Sequence, residues 1–128
     1  MSKILVVEDS PMIQEILVER LRFRNYEVVA ADDGQEGVEV AQRELPDLIL
    51  MDISLPIMDG WEATTKIRQI ESIKHTPIIA LTAHALVEDR NKSLAIGCDD
   101  FETKPINFAQ LVDKINKYLA EAKAKSRR

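Results

Sequence analysis

Asp47-Leu48-Ile49-Leu50-Met51-Asp52 is an apolar run that ends on a carboxylate. An uninterrupted run of this length suits a strand buried on both faces, as in a parallel sheet. Asp52 then stands where the strand stops and the loop Ile53-Ser54-Leu55-Pro56-Ile57-Met58-Asp59-Gly60 begins. In open α/β sheets, ligands bind just outside the carboxyl ends of the strands. A lone Asp there is ordinary turn chemistry, so its neighbours decide whether it is more.

Outward from this run the pattern repeats. Lys3-Ile4-Leu5-Val6-Val7 is a first strand, followed by Glu8-Asp9 and by Ser10-Pro11, an N-cap and a first-turn proline. Ile13, Ile16, Leu17 and Leu21 then recur at helical spacing. Tyr26 to Ala31 is a second strand, and Asp33-Gly34 opens a short helix to about Glu44 with Val38 and Ala41 inward. Beyond Asp52, Asp59-Gly60-Trp61-Glu62 is a capping box for a helix carrying Ala63, Ile67 and Ile70. Thr76 to Thr82 is a fourth strand, with Pro77 near its start, where proline is tolerated. A helix over about Leu86 to Ile96 ends at Gly97, a C′ glycine. Cys98 to Glu102 reads as a fifth strand at a sheet edge, and Thr103-Lys104-Pro105 as a loop. Asn107 caps a final helix striped by Leu111, Ile115, Tyr118 and Leu119. Five strands alternating with five helices over short connections predict an α/β fold, a doubly wound (βα)5 parallel sheet.

The 128 residues make one domain, 45% hydrophobic and 30% charged, and the net charge of −5 argues against nucleic acid or anionic membrane as a partner. No apolar run approaches the roughly 18 residues a membrane span needs. The start Met1-Ser2-Lys3 resembles no signal peptide; taken with the lone cysteine and the lack of an apolar span, the expected location is the cytoplasm. One cysteine, Cys98, allows no internal disulfide and reads as a small buried hydrophobe. Residues 1–121 form the domain; residues 122–128, ending Lys123-Ala124-Lys125-Ser126-Arg127-Arg128, read as a frayed basic tail.

If the strands run parallel, one rim collects Glu8-Asp9, Asp52, Thr82 and Lys104. Like charges ~4 Å apart repel by about 4 kcal/mol at an effective dielectric near 20. Such a carboxylate cluster holds a cation or has a raised pKa. Oxygen ligands without His or Cys suit Mg²⁺, with Mn²⁺ an alternative. A carboxylate, a cation, an ammonium group and a hydroxyl are the parts of phosphoryl transfer to an aspartate.

With these residues assembled, the chain resembles the receiver domain of two-component response regulators, near its single-domain and hybrid-kinase branches. The resemblance runs from Lys3 to about Tyr118. It rests on Val6-Val7-Glu8-Asp9-Ser10, on Met51-Asp52 with Leu55-Pro56-Ile57-Met58-Asp59-Gly60, on Ala80-Leu81-Thr82-Ala83, and on Lys104-Pro105. It implies a flavodoxin-like sheet of order 2-1-3-4-5, a cis Lys104–Pro105 bond, and a module that is not a classical enzyme. Asp52 would be the phosphoacceptor, phosphorylated by a histidine kinase or phosphotransfer protein. Asp9, Glu8 (through water), Asp52 and the Ser54 carbonyl would hold Mg²⁺. Lys104 would pair with the phosphoryl oxygens, Thr82 would turn to meet them, and Phe101 would be an aromatic rotamer switch. Ser54 and His84 stand where the family tunes phosphate lifetime. Output would pass to an effector protein through the face made by the fourth helix, fifth strand and fifth helix, in a monomer or a phosphorylation-dependent dimer. Glu8 and Leu55 depart from the commoner Asp and Met.

Two other functions use similar parts. An aspartyl phosphatase needs a second Asp two residues past its nucleophile, and here that position is Ser54. A flavin module would have to seat a phosphate against an acidic rim.

Overall fold

The computed structural model describes residues 1–83 and 87–126, without the side chains of Val87 and Ser126. Its elements are β1 (Lys3–Val7), α1 (Pro11–Phe23), β2 (Glu27–Ala31), α2 (Gly34–Glu44), β3 (Leu48–Asp52), α3 (Gly60–Ile67), β4 (Ile78–Thr82), α4 (Val87–Ile96), β5 (Asp100–Thr103) and α5 (Phe108–Ser126). All strand pairs are parallel and the order is β2-β1-β3-β4-β5, as the resemblance implied.

Apart from Lys3, Asp52 and Thr82 at their ends, the central strands are apolar because both faces are covered. Alternate residues serve opposite cores. Leu5, Val7, Ile49, Met51, Ile78 and Ala80 pack with Val38 and Ala41 of α2 and Ala63 and Ile67 of α3. Ile4, Val6, Leu48, Leu50, Ile79 and Leu81 pack with Leu17 and Leu21 of α1 and Leu111, Ile115 and Leu119 of α5. Burying a Leu- or Ile-sized side chain contributes roughly 1.5–3 kcal/mol, so this two-sided filling holds the strand ends in one place.

Local signals act where the sequence put them. Ser10 Oγ accepts from Ile13 N–H, and the carboxylates of Asp33 and Asp59 accept from the N–H groups of Glu36 and Glu62. Asn107 Oδ1 accepts from Gln110 N–H at 3.0 Å. Gly97 takes φ 125°, and Arg68 packs so close that a Cβ there would lie 3.1 Å from its Cγ. That guanidinium donates to the carbonyls of Gly97, Lys74 and Thr76 and to Asp99, joining α3 to the turn before β5.

Some expectations shift: the fourth strand starts at Ile78 where Thr76 was expected, and the second at Glu27 where Tyr26 was. Ile16 faces outward, 44% exposed, because the buried stripe of α1 runs through Leu17 and Leu21. The third helix stops at Ile67, leaving Ile70 packed from the following turns. The fifth strand starts at Asp100, because Cys98 N–H closes α4 on Ser93 O. Residues 122–126 continue α5 as helix, consistent with the helix-forming run Ala120-Glu121-Ala122-Lys123-Ala124. Arg127 and Arg128 lie outside the described residues.

Candidate functional site

The parallel sheet brings the ends of β1, β3 and β5 together. Glu8 follows β1, Asp52 ends β3 and Lys104 follows β5. Lys104 Nζ lies 3.1 Å from Glu8 Oε2 and 3.1 Å from Asp52 Oδ2. Glu8 is 1% exposed and Asp52 2%. Asp9 is exposed, yet oxygens of Glu8, Asp9 and Asp52 all lie within 4.8 Å of one another. The Lys104–Pro105 bond is cis.

Backbone and neighbours fix these groups. Ser54 N–H donates to Asp52 Oδ1 at 3.1 Å, so each oxygen of that carboxylate has a partner. Ser10 N–H reaches Glu8 Oε1 at 3.4 Å. Gln14 donates to the carbonyls of Glu8 and Ala31 and to Asp32, tying α1 to the turn that carries the acids. Gly60 sits where a Cβ would come within 2.1 Å of Asp52 O, so only glycine lets α3 start this near the end of β3.

The electrostatics follow from burial. Glu8 is pushed up to about 7, first by burial, then by a hydrogen bond with the Asp52 carboxylate and by its charge, with Lys104 pulling the other way. Burial works against the charge of Lys104, but Asp52 and Glu8 outweigh it and its pKa is raised. With all three acids ionised, one lysine leaves two negative charges uncompensated. In the metal-free cleft Glu8 therefore holds its proton well above the usual carboxylate range. A compact set of oxygen donors with excess negative charge fits a hard divalent cation such as Mg²⁺.

The remaining sequence-predicted residues lie further along the rim or off it. Thr82 is buried at the end of β4, one residue past Leu81, the partner of Asp52, and its carbonyl accepts from Lys104 N–H at 2.7 Å. Ser54 is exposed on the loop. Phe101 stands apart on β5, half-buried between Arg90 of α4 and Lys114 of α5, whose charges lie 5.0 and 5.1 Å from its ring centre. His84 lies outside the described residues.

Sequence reasoning missed three features. An apolar groove of about 250 Å³ opens beside Lys104, between α1 and the loop after β5, lined by Ile13, Ile16, Leu17, Pro105, Ile106 and Phe108. The signal was Ile16, which falls off the buried stripe. Trp61, given no role, donates from Nε1 to the buried Ser93 hydroxyl at 2.9 Å and lies under Lys92, linking α3 to α4. Lys104 grips Glu8 as well as Asp52, a contact no local pattern encodes.

Known proteins resemble this chain in sequence and in fold. Residues 4–116 match the family described as the response regulator receiver domain. Polar-differentiation response regulator DivK of Brucella ovis is 33% identical over 119 residues, covering 93% of this chain and 97% of DivK. Hybrid signal transduction histidine kinase I of Dictyostelium discoideum is 42% identical over 135 residues, but the match spans only 8% of that protein. Among solved structures, a CheY-like response regulator receiver domain protein from Methanospirillum hungatei superposes with TM-score 0.90 at 32% identity, over 98% of both chains. The receiver domain of sensor histidine kinase PA1611 from Pseudomonas aeruginosa superposes with TM-score 0.87 at 40% identity, over 93% of this chain and 98% of that one; it has a magnesium ion in its active-site cleft.

Proposed function

We propose, starting from the fact that this chain belongs to the response regulator receiver domain family, that it is a signalling switch in which Asp52 accepts a phosphoryl group from a phosphohistidine. The observation that carries this reading is the buried Asp52 carboxylate held with Glu8 by one lysine, with Asp9 alongside. In the transfer, an oxygen of Asp52 attacks phosphorus and an O–P bond forms. The N–P bond to the donor imidazole breaks, and the leaving nitrogen keeps the electron pair and takes a proton from solvent. Ser54 N–H fixes one carboxylate oxygen while Lys104 Nζ shifts from the carboxylates to the phosphoryl oxygens as charge gathers there.

Asp9, Asp52, the Ser54 carbonyl and, through water, Glu8 are the groups that hold Mg²⁺, or Mn²⁺ in its place. The bound ion supplies charge neutralisation to the transferring group. The groove beside Lys104 receives the donor, a histidine kinase or phosphotransfer protein. After transfer the Thr82 hydroxyl hydrogen-bonds the phosphoryl group and Phe101 turns inward. The α4–β5–α5 face then binds an effector. Water slowly hydrolyses the acyl phosphate, at a rate set in part by Ser54 and His84. Residues 1–121 are the receiver unit, working in the cytoplasm.

The test is uptake of radiolabelled phosphoryl group from phosphoramidate. Label should enter the wild-type chain with Mg²⁺, stay out with chelator, and stay out of Asp52→Asn. Undiminished labelling of Asp52→Asn would refute the assignment.

A further inference from the structure

Helix α1 carries a second apolar stripe that the core does not use. Met12, Ile16 and Phe23 are all exposed, Met12 by 68% and Phe23 by 89%. At 3.6 residues per turn the three fall within about 40° of one another, turned away from the inward Leu17 and Leu21. Their spacing is that of a heptad seam, the pattern that pairs one helix with another. Phe23 also rims a depression of about 500 Å³ that reaches Phe108 at the start of α5.

The charges beside the stripe are sorted by sign. Glu15 and Glu19 lie along one edge, Arg20 and Arg24 along the other, and all four are exposed. Glu19 stands about 50° to one side of the stripe's centre and Arg20 about 50° to the other. Within one helix this sorting is unfavourable, because Glu15–Glu19 and Arg20–Arg24 are like-charge pairs at i,i+4. The helix dipole accounts for Arg20 in the last turn, but α1 has no acid in its first turn, and Glu15 and Glu19 lie beyond it. The rest of the fold does not answer these charges. Among the described residues no carboxylate pairs with Arg20 or Arg24; both guanidinium groups lie over one ring, Phe108, at 5.5 and 5.6 Å. A fitting partner is apolar along its middle, acidic along the edge that meets the arginines and basic along the edge that meets the glutamates. The same helix of a second copy, running parallel, has that pattern. About a two-fold axis along α1, the acidic edge of each helix faces the basic edge of the other, so that Glu15 meets Arg20 and Glu19 meets Arg24 across the seam. Antiparallel pairing about a two-fold axis would set each edge against its own like. Exposed ion pairs contribute little affinity, so the stripe supplies the attachment and the charges select its direction.

We infer that α1 is a self-association surface: two copies of this chain pair through parallel α1 helices, with Met12, Ile16 and Phe23 at the seam. Both Asp52 clefts then open at the same end of the dimer. The pairing uses no residue of α4 or β5 and does not depend on phosphorylation of Asp52. Sedimentation equilibrium of the full chain without phosphodonor tests it, from about 10 µM to about 1 mM, the range in which a small seam associates. Wild type should pass from monomer to dimer across that range. Phe23→Ser should weaken dimerisation by about tenfold or more, with Tm held within about 2 °C because the ring stands in solvent. The double variants Glu15→Arg/Glu19→Arg and Arg20→Glu/Arg24→Glu should each be monomeric alone, and their equimolar mixture should dimerise again, which also shows that both are folded. Met12→Cys should give an interchain disulfide under copper-catalysed oxidation, since only parallel helices bring position 12 against itself. A wild type that stays monomeric at the highest concentration overturns the inference. So does a dimer that both charge-reversed variants keep, a mixture that stays monomeric, or a dimer in which Met12→Cys does not cross-link.

Discussion

The two ends of β1 are built alike and behave differently. At the start of the strand, Lys3 Nζ bridges Glu27 and Glu44 at 3.3 and 3.2 Å. Just past its end, Lys104 Nζ bridges Glu8 and Asp52 at 3.1 Å each. At the first bridge the carboxylates stay in contact with water. There the hydrogen bond from Lys3, followed by one from Arg43, lowers the pKa of Glu44. At the second bridge the acids are buried, and burial drives Glu8 up to about 7 despite its lysine. One lysine between two carboxylates is thus a solvated clasp at one pole and a charge-deficient pocket at the other. Geometry is shared; dielectric and crowding of acids make the difference.

Removing the cation from the buried pole should have the largest effect. Lys104→Met leaves Glu8 and Asp52 facing each other without compensation. Breaking a buried pair this way costs about 3–5 kcal/mol, lessened here because Glu8 can take a proton. Thermal unfolding at pH 8 without metal should show a large drop in Tm, and phosphorylation by phosphoramidate should slow about 10²-fold or more. The same variant should bind Mg²⁺ more tightly by calorimetry, since the ion no longer competes with an ammonium for Glu8. Weaker Mg²⁺ binding would mean that Lys104 helps to build the metal site and does not compete for it.

The next effect is a pH dependence with a definite sign. The folded pKa of Glu8, about 7, lies above its ordinary 4.5. Its contribution to stability is complete below 4.5 and lost as pH rises through about 7. The full loss in the metal-free protein is about 3 kcal/mol. Glu8→Gln, which keeps the shape and cannot ionise, should gain on wild type by roughly 2–3 kcal/mol between pH 5 and pH 8 in denaturant melts. Mg²⁺ should raise the wild-type Tm more at pH 8 than at pH 6 and do so far less in Glu8→Gln. A parallel pH course for the two proteins would mean that Glu8 is not the strained acid.

The smallest effect belongs to the solvated pole. Lys3→Met should move Tm by no more than about 2 °C, and added salt should shrink even that. A loss near that of Lys104→Met would erase the distinction between the two bridges.

The contrast between the poles also marks what sequence could and could not reveal. Strand runs such as Leu48 to Met51, and caps such as Asp33 and Asp59, act within a few residues, so the element order was readable. Asp9, Asp52 and Lys104 could be brought together because parallel strands put their carboxyl ends on one rim. Burial was not readable. Adjacent in sequence, Glu8 is enclosed and Asp9 is open, a split made by the turn onto α1 and by Gln14. Ile16 looked inward because its spacing fits a helical stripe, but α1 buries a narrower one. The positive φ of Ile57 and the Trp61–Ser93 bond depend on elements far apart in the chain, and no local propensity signals them.

The central claim is that the buried pole of β1 is a phosphoryl-accepting pocket with Asp52 at its centre. Peptide mass spectrometry after treatment with acetyl phosphate and Mg²⁺ addresses it most directly. The expected result is one phosphoryl group, on the peptide containing Asp52, lost with chelator. A phosphoryl group on another residue, or none at all on a folded wild-type chain, would contradict it.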